Sequence, residues 1–333
     1  MSSPSAPSVP AAGLRRRLRG PAAAVLRPLL RASGGKVGVA LVYHGVRPRE
    51  PEAIQVVPSI GRERIRDHLR HLSRHYTVVP LPELITAAAR RRRGERYPVA
   101  LSFDDDLGEH LDHAAPLLAA EQVPATFFLC GRDLLGDGEF WWETLQRAAE
   151  SGVSTADLGS LAGMGNNSAT TKPGLREIAA EIETLSEQDR GAVVAQLTAL
   201  VGEGTPERRL GDEQISNLTR SGHTVGFHTR RHQVLTTLDS DALASALSDG
   251  RDQLSGASGM PIEMIAYPHG KADMRVANAA REAGFRFGLE TGASVIGPGS
   301  DPLRLRRLAA DELTVDELGA AIAAVLFGAH SRG

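Results

Sequence analysis

The chain has 333 residues, 41% of them hydrophobic, and a formal net charge of −2. That length suffices for one or two buried cores, and the near-neutral charge excludes the global basic footprint of a nucleic-acid binder. The single cysteine, Cys130, excludes an internal disulfide and, at the end of the apolar run ATFFLC, reads as a core residue.

Residues 1–35 are Ser/Pro/Ala-rich and then basic, and are expected to form a disordered tail. The apolar part, PAAAVLRPLLRA, is broken by Arg27 and Arg31 and falls short of the ~20 residues of a membrane span. A sharper alternative is a basic segment resting on anionic lipid, a peripheral membrane contact. No convincing export signal is visible, so a cytoplasmic enzyme, or one on the cytoplasmic membrane surface, is expected, with export as the alternative.

From residue 37 strands and helices alternate. VGVALVY (37–43) predicts a buried strand, 62–75 a helix, YTVVPL a strand and LPELITAAARRRR a helix. PVALSF (98–103), a helix over 109–121 and ATFFLC (125–130) follow. The rhythm then breaks: residues 132–210 read as a helical insertion containing the Gly/Asn/Ser/Thr-rich stretch GMGNNSATTKPG. The alternation resumes with helix 212–221, strand HTVGFH, helix 239–255, strand EMIAYP, helix 272–283 and the strands FRFGLE and LRLRRL. A last amphipathic helix over 314–327 lies within a C-terminal segment, 313–333. This order predicts parallel strands covered by helices, either an open doubly wound sheet or a barrel. No GxGxxG or GxxxxGK[ST] is present to cradle a phosphate.

Four predicted strands end in ionisable or aromatic residues: Tyr43-His44, Asp104-Asp105-Asp106, His228 with His232, and Tyr267-Pro268-His269. In parallel α/β folds, active sites form at such carboxyl ends. His228 and His232 are spaced to share a metal from one face of a helical turn. His71 and His75 have the same spacing but lie with His68 on a charged helix and read as a solvated face. Three adjacent carboxylates after a buried strand repel one another unless a cation is near; Asp106 also suits a helix N-cap. Trp141 and Trp142 suit either stacking on a sugar ring or packing of the insertion.

SFDDD, HTRRH and AYPHG, in this order, resemble the motifs of the polysaccharide deacetylase family (NodB homology, carbohydrate esterase family four). PATFFL and SGHTVGFH resemble its core strands, and GEFWW resembles members associated with extracellular-polysaccharide clusters. The likeness spans about 38–308. It implies a distorted (β/α) barrel of about seven parallel strands, within 36–312, and one divalent metal, Zn2+ before Co2+, Ni2+ or Fe2+. Asp105, His228 and His232 would bind the metal and Asp104 would be the general base. Tyr43, Tyr267, Pro268 and His269 would contact substrate, and a backbone N–H of the YPHG turn would help hold the oxyanion. The implied reaction is hydrolysis of an N-acetyl group on an amino sugar of a polysaccharide or glycoconjugate. An O-acetyl esterase and a non-catalytic carbohydrate-binding barrel are the alternatives.

The chain departs from the family pattern at three places. Asp106 stands where a Gly is usual. Ala266 stands where an Arg often holds the catalytic Asp, leaving Arg230, Arg231 or Arg307 to substitute. The last barrel strand lacks the histidine that protonates the leaving amine, so His44 is the first candidate for general acid, ahead of His269 and His110.

Overall fold

Each apolar run is followed by a helix that carries the chain back to the same end, so successive strands lie parallel. The computed structural model describes residues 30–131, 140–164, 174–202 and 209–330. The N-terminal tail with its proposed lipid contact, and most of the GMGNNSATTKPG stretch, lie outside the described residues.

The strands are β1 (Val39–Tyr43), β2 (Gly45–Arg47), β3 (Ser59–Gly61), β4 (Thr77–Val78), β5 (Pro98–Phe103), β6 (Thr126–Leu129), β7 (Thr224–Phe227), β8 (Met264–Ala266), β9 (Phe287–Thr291) and β10 (Leu305–Ala309). The helices are α1 (Arg62–His75), α2 (Leu84–Arg90), α3 (Ala115–Ala120), α4 (Trp141–Glu150), α5 (Thr155–Leu161), α6 (Leu175–Thr184), α7 (Glu187–Val201), α8 (Asp212–Arg220), α9 (Ser240–Ser248), α10 (Arg251–Ser258), α11 (Met274–Glu282) and α12 (Val315–His330). Neighbours run β1-β10-β9-β8-β7-β6-β5, and β1 pairs with β5 from Val39↔Val99 to Tyr43↔Phe103. Seven strands therefore close into a parallel barrel, and β4 is an eighth strand beside the start of β5. The barrel alternative is the one the chain adopts.

The two-residue pleat sorts every barrel strand into an inner and an outer row. Ala40, Ala100, Phe128, Met264, Ala266, Leu289 and Leu305 pack together in the lumen. Leu41, Leu101, Phe127 and Ile265 belong to the larger core under the helices. Gly226 is required by that inner row, since a Cβ there would collide with the Phe128 ring. Between β6 and β7, α4–α7 form their own apolar cluster around Leu145, Ile178, Ile182 and Leu197.

Three local expectations change. The 239–255 helix is two helices broken at Gly250, whose φ is +86°. The 109–121 helix opens with a π-helical turn, His110–Ala114. His68 is no surface residue: it is buried, accepting from the Tyr43 hydroxyl (3.1 Å) and donating to the Leu313 carbonyl (3.0 Å). Burial lowers its pKa to about 4. Among the described residues, no helix is long and apolar enough to cross a membrane.

Candidate active site

The pleat that fills the lumen also builds the site. Along β5, Ala100 and Ser102 face inward, so Asp104, next in the row, emerges at the barrel's carboxyl mouth. The same parity brings His44 after Ala40 and Val42, and His228 after Gly226. Backbone bonds extend the ladders to these residues: Asp104 N–H donates to Tyr43 O (3.0 Å) and His228 N–H to Leu129 O (2.9 Å).

Parity also explains a correction. Tyr43 and Tyr267, expected as substrate contacts, occupy the outer row and are fully buried. Tyr43 stacks on Phe103 at 5.5 Å, and the Tyr267 hydroxyl donates to Leu303 O at 2.9 Å. Pro268 is buried as well, whereas His269 is a quarter exposed beside His232, with ring centroids 4.6 Å apart.

Asp105, His228 and His232 each direct one donor atom to a common point, all within 4.8 Å of one another. Asp105 Oδ1 lies 3.3 Å from His228 Nε2 and 3.5 Å from His232 Nε2. Ligands held ~2.1 Å from a tetrahedral ion stand ~3.4 Å apart, so these donors fit a divalent metal. His228 Nδ1 donates to Ala266 O at 2.8 Å, which turns its Nε2 toward the donors. Burial alone would raise the Asp105 pKa, but the imidazoles of His228, His44 and His232 hold it far below the carboxylate range. His232 is kept neutral by burial and by neighbouring His228 and His269, as a ligand must be.

HTRRH is not the helical turn that the spacing suggested. It is a tight turn in which His232 N–H bonds Thr229 O (3.4 Å), with both residues at positive φ. Among the described residues, six non-glycine residues have positive φ, and Asp105, Asp106, Thr229, His232 and His269 lie in or beside this site. Such backbone costs of order 1–3 kcal/mol each and concentrates where geometry serves chemistry. Asp106 is at φ +55°, a conformation natural to Gly and tolerated by Asp. Its Oδ2 accepts the Gly131 N–H (3.0 Å), so it joins neither the donor cluster nor a helix cap.

Asp104 is gripped by Arg307 from β10. Nη1 donates to Oδ1 and Nη2 to Oδ2, both at 2.7 Å, and Nη1 also reaches Ser102 Oγ at 3.0 Å. Of the three candidate arginines, Arg230 instead pairs with Asp249 (3.2 Å) and Arg231 is exposed. Burial would raise the Asp104 pKa, yet Arg307, with His228 and His44, lowers it. The guanidinium carbon lies 5.3 Å from the centroid of the lumen residue Phe128.

On the other side of β1, His44 meets Asp311, which follows β10. His44 N–H donates to Oδ1 (2.7 Å) and Nδ1 to Oδ2 (3.1 Å). Burial pulls the His44 pKa down, but Asp311, then Asp105 and Asp104, raise it to about 9. His110 does not compete for the acid role: it is buried, donates to His44 O (2.9 Å) and has its pKa lowered to about 4, chiefly by burial. His269 pairs with Glu183 of α6 at 3.5 Å.

Sequence reasoning missed Asp311 and Glu183. Asp311 carries a legible signal, since it continues the inward row of Arg307 and Ala309. Glu183 carries none, because it reaches the site only through the packing of the insertion. Trp142 is buried with Phe140 against His232, at ring distances of 4.8 and 6.0 Å, so it packs the site.

The sequence profile described as Polysaccharide deacetylase matches residues 91–159 and 176–288, more than half of the chain. Among curated proteins, none matches the sequence significantly. Among solved structures, the Streptococcus pyogenes deacetylase PplD, in complex with acetate, is 15% identical with a TM-score of 0.57, covering 86% of this chain and 98% of its own. The de-N-acetylase from Aggregatibacter actinomycetemcomitans is 15% identical at a TM-score of 0.54, covering 86% and 99%. IcaB from Ammonifex degensii is 18% identical at 0.52, covering 87% and 98%. At these identities the likeness is one of fold.

Proposed function

Because the chain belongs to the polysaccharide deacetylase family, and so is a carbohydrate deacetylase, we propose that it hydrolyses an N-acetyl group on an amino sugar of a polysaccharide or glycoconjugate. The observation that carries this reading is the convergence of three metal donors between two separately anchored groups, Asp104 on Arg307 and His44 on Asp311. A divalent cation held by Asp105, His228 and His232 would supply Lewis acidity, polarising the acetyl carbonyl and acidifying water.

The chain's own residues do the rest. Asp104, kept ionised and fixed in orientation by Arg307, takes the proton of the attacking water. His44, kept protonated by Asp311, gives a proton to the departing nitrogen. The Nδ1 bond to Asp311 leaves Nε2 as the delivering atom. An amine leaves only when protonated, whereas an alkoxide needs less help. A buried carboxylate maintaining a cationic imidazole therefore favours amide over ester cleavage.

The test is acetate release from N-acetylglucosamine oligomers and from an O-acetylated xylan, before and after chelation and with Zn2+, Co2+, Ni2+ or Fe2+ restored. The expected result is release from the amide substrate, lost on chelation, restored by metal, and reduced at least ~100-fold in Asp104→Asn. Faster release from the xylan would overturn the N-acetyl assignment.

A further inference from the structure

Charge is unevenly spread over the barrel. At its amino end, opposite the reaction centre, Arg31 and Lys36 lead into β1, and Arg90, Arg92, Arg93 and Arg96 lie between α2 and β5; all six are exposed. Among the described residues, none of the six pairs with a carboxylate. Arginines elsewhere on the barrel do pair: Arg70 with Glu121 (2.9 Å), Arg286 with Glu263 (2.9 Å) and Arg281 with Asp301 (3.5 Å). Glu95 is the one acidic residue within 84–98, and its Oε2 accepts the Arg92 backbone N–H (2.8 Å). A chain of net charge −2 thus carries one sector of unneutralised positive charge.

The sector is held as one piece. Arg91 is buried between its two segments. Nη1 donates to Ser33 O (3.1 Å) and Gly35 O (2.8 Å), and Nη2 to Arg31 O (3.2 Å) and Glu95 O (3.0 Å). The same guanidinium lies 3.6 Å over the Tyr97 ring. Arg93 Nε donates to Ala32 O, and Gly94 N–H to Arg31 O (2.8 Å). Structure therefore accounts for Arg91. It does not account for Arg90 and Arg92, whose side chains make no hydrogen bond among the described residues. Like charges this close repel, and an external polyanion relieves them.

The surroundings select the kind of anion. The aromatic rings beside the sector, Tyr76 and Tyr97, are buried, which leaves no platform on which a nucleic-acid base could stack. The sequence leading into it, LRRRLRGPAAAVLRPLL (14–30), mixes five arginines with leucine, valine and alanine. Cations interleaved with apolar side chains suit a lipid headgroup layer, where charge and hydrocarbon are both offered.

We propose that this arginine-rich sector docks the barrel by its amino end on an anionic lipid surface, leaving the mouth that holds His228 and His232 turned away from the bilayer. The six residues of β5 separate the two ends by about 20 Å at ~3.3 Å per residue. The docking does not depend on the deacetylase reading.

The test is sedimentation of the full chain with vesicles of equal parts phosphatidylglycerol and phosphatidylcholine, for wild type and the pair Arg90→Gln with Arg92→Gln. Wild type is expected to bind these vesicles, to release as salt is added and to ignore pure phosphatidylcholine. The glutamine pair should bind at least about tenfold more weakly while unfolding at the wild-type midpoint. Arg90→Lys with Arg92→Lys keeps the charge and should bind as wild type does. Failure to bind the anionic vesicles, undiminished binding by the glutamine pair or equal loss in the lysine pair overturns the proposal. Tighter binding to a DNA duplex than to the vesicles overturns the choice of lipid. Orientation has its own readout. Trp141 and Trp142 are the chain's two tryptophans, and Trp142 lies against His232 at 4.8 Å. Spin labels on the lipid headgroups should therefore leave the fluorescence of bound protein unquenched, and quenching overturns the outward-facing mouth.

Discussion

Arg307 and Ala266 exchange a role across the lumen. The arginine expected from the family's third motif here rises from β10 and forms two parallel bonds to Asp104. Arg307→Ala leaves a buried carboxylate unpaired, and a loss of about 3–5 kcal/mol in unfolding free energy is expected from denaturant titration. Its pH profile should move in a defined direction. Asp104 must be ionised to act, and Arg307 depresses its pKa, so removing Arg307 raises that pKa and shifts the acid limb of kcat/KM to higher pH. Arg307→Ala combined with Ala266→Arg should recover part of the activity, and no recovery would mean that position 266 cannot reach Asp104. The opposite limb belongs to His44. Protonated below about 9, it loses its proton as pH rises through that value, and amide hydrolysis should fall with it. Asp311→Asn removes the main raising influence, so the basic limb should move to lower pH. An unmoved limb would assign the acid role elsewhere.

Turns and strand ends decide what could be read beforehand. The strands were legible because continuous β-branched runs have few alternatives, and PVALSF became β5 without change. The positions of Asp104, Asp105, His228 and His232 were legible because they end those runs. The conformation of HTRRH was not, since spacing alone does not separate a helical turn from one with residues at positive φ. Tyr43 and Tyr267 fall outside the site because the pleat sends neighbours along a strand to opposite faces, which adjacency in sequence does not convey. The choice of Arg307 needed barrel closure, which no local pattern encodes. Packing around the turn carries its own prediction. Trp142 covers His232, so Trp142→Ala should loosen that ligand and weaken metal binding about 10–100-fold in a competition titration. Unaltered affinity would show that the turn holds His232 unaided.

At the level of the whole molecule, the family match runs from residue 91 to 288, while His44, Arg307 and Asp311 lie outside it. The matched profile thus contains the three converging donors, and the two strands flanking it bring the arginine clamp and the His44–Asp311 pair. The first and last barrel strands meet as β1 and β10, pairing Ala40 with Arg307. Contacts this distant in sequence carry a large loop-closure entropy and form late. During refolding, tryptophan fluorescence from α4 is therefore expected to recover before acetate release does, and simultaneous recovery would contradict that order. A partly folded chain would own a cation-binding cluster yet lack both its proton acceptor's anchor and its proton donor. Hydrolytic competence is in that sense deferred until the first and last barrel strands have found each other.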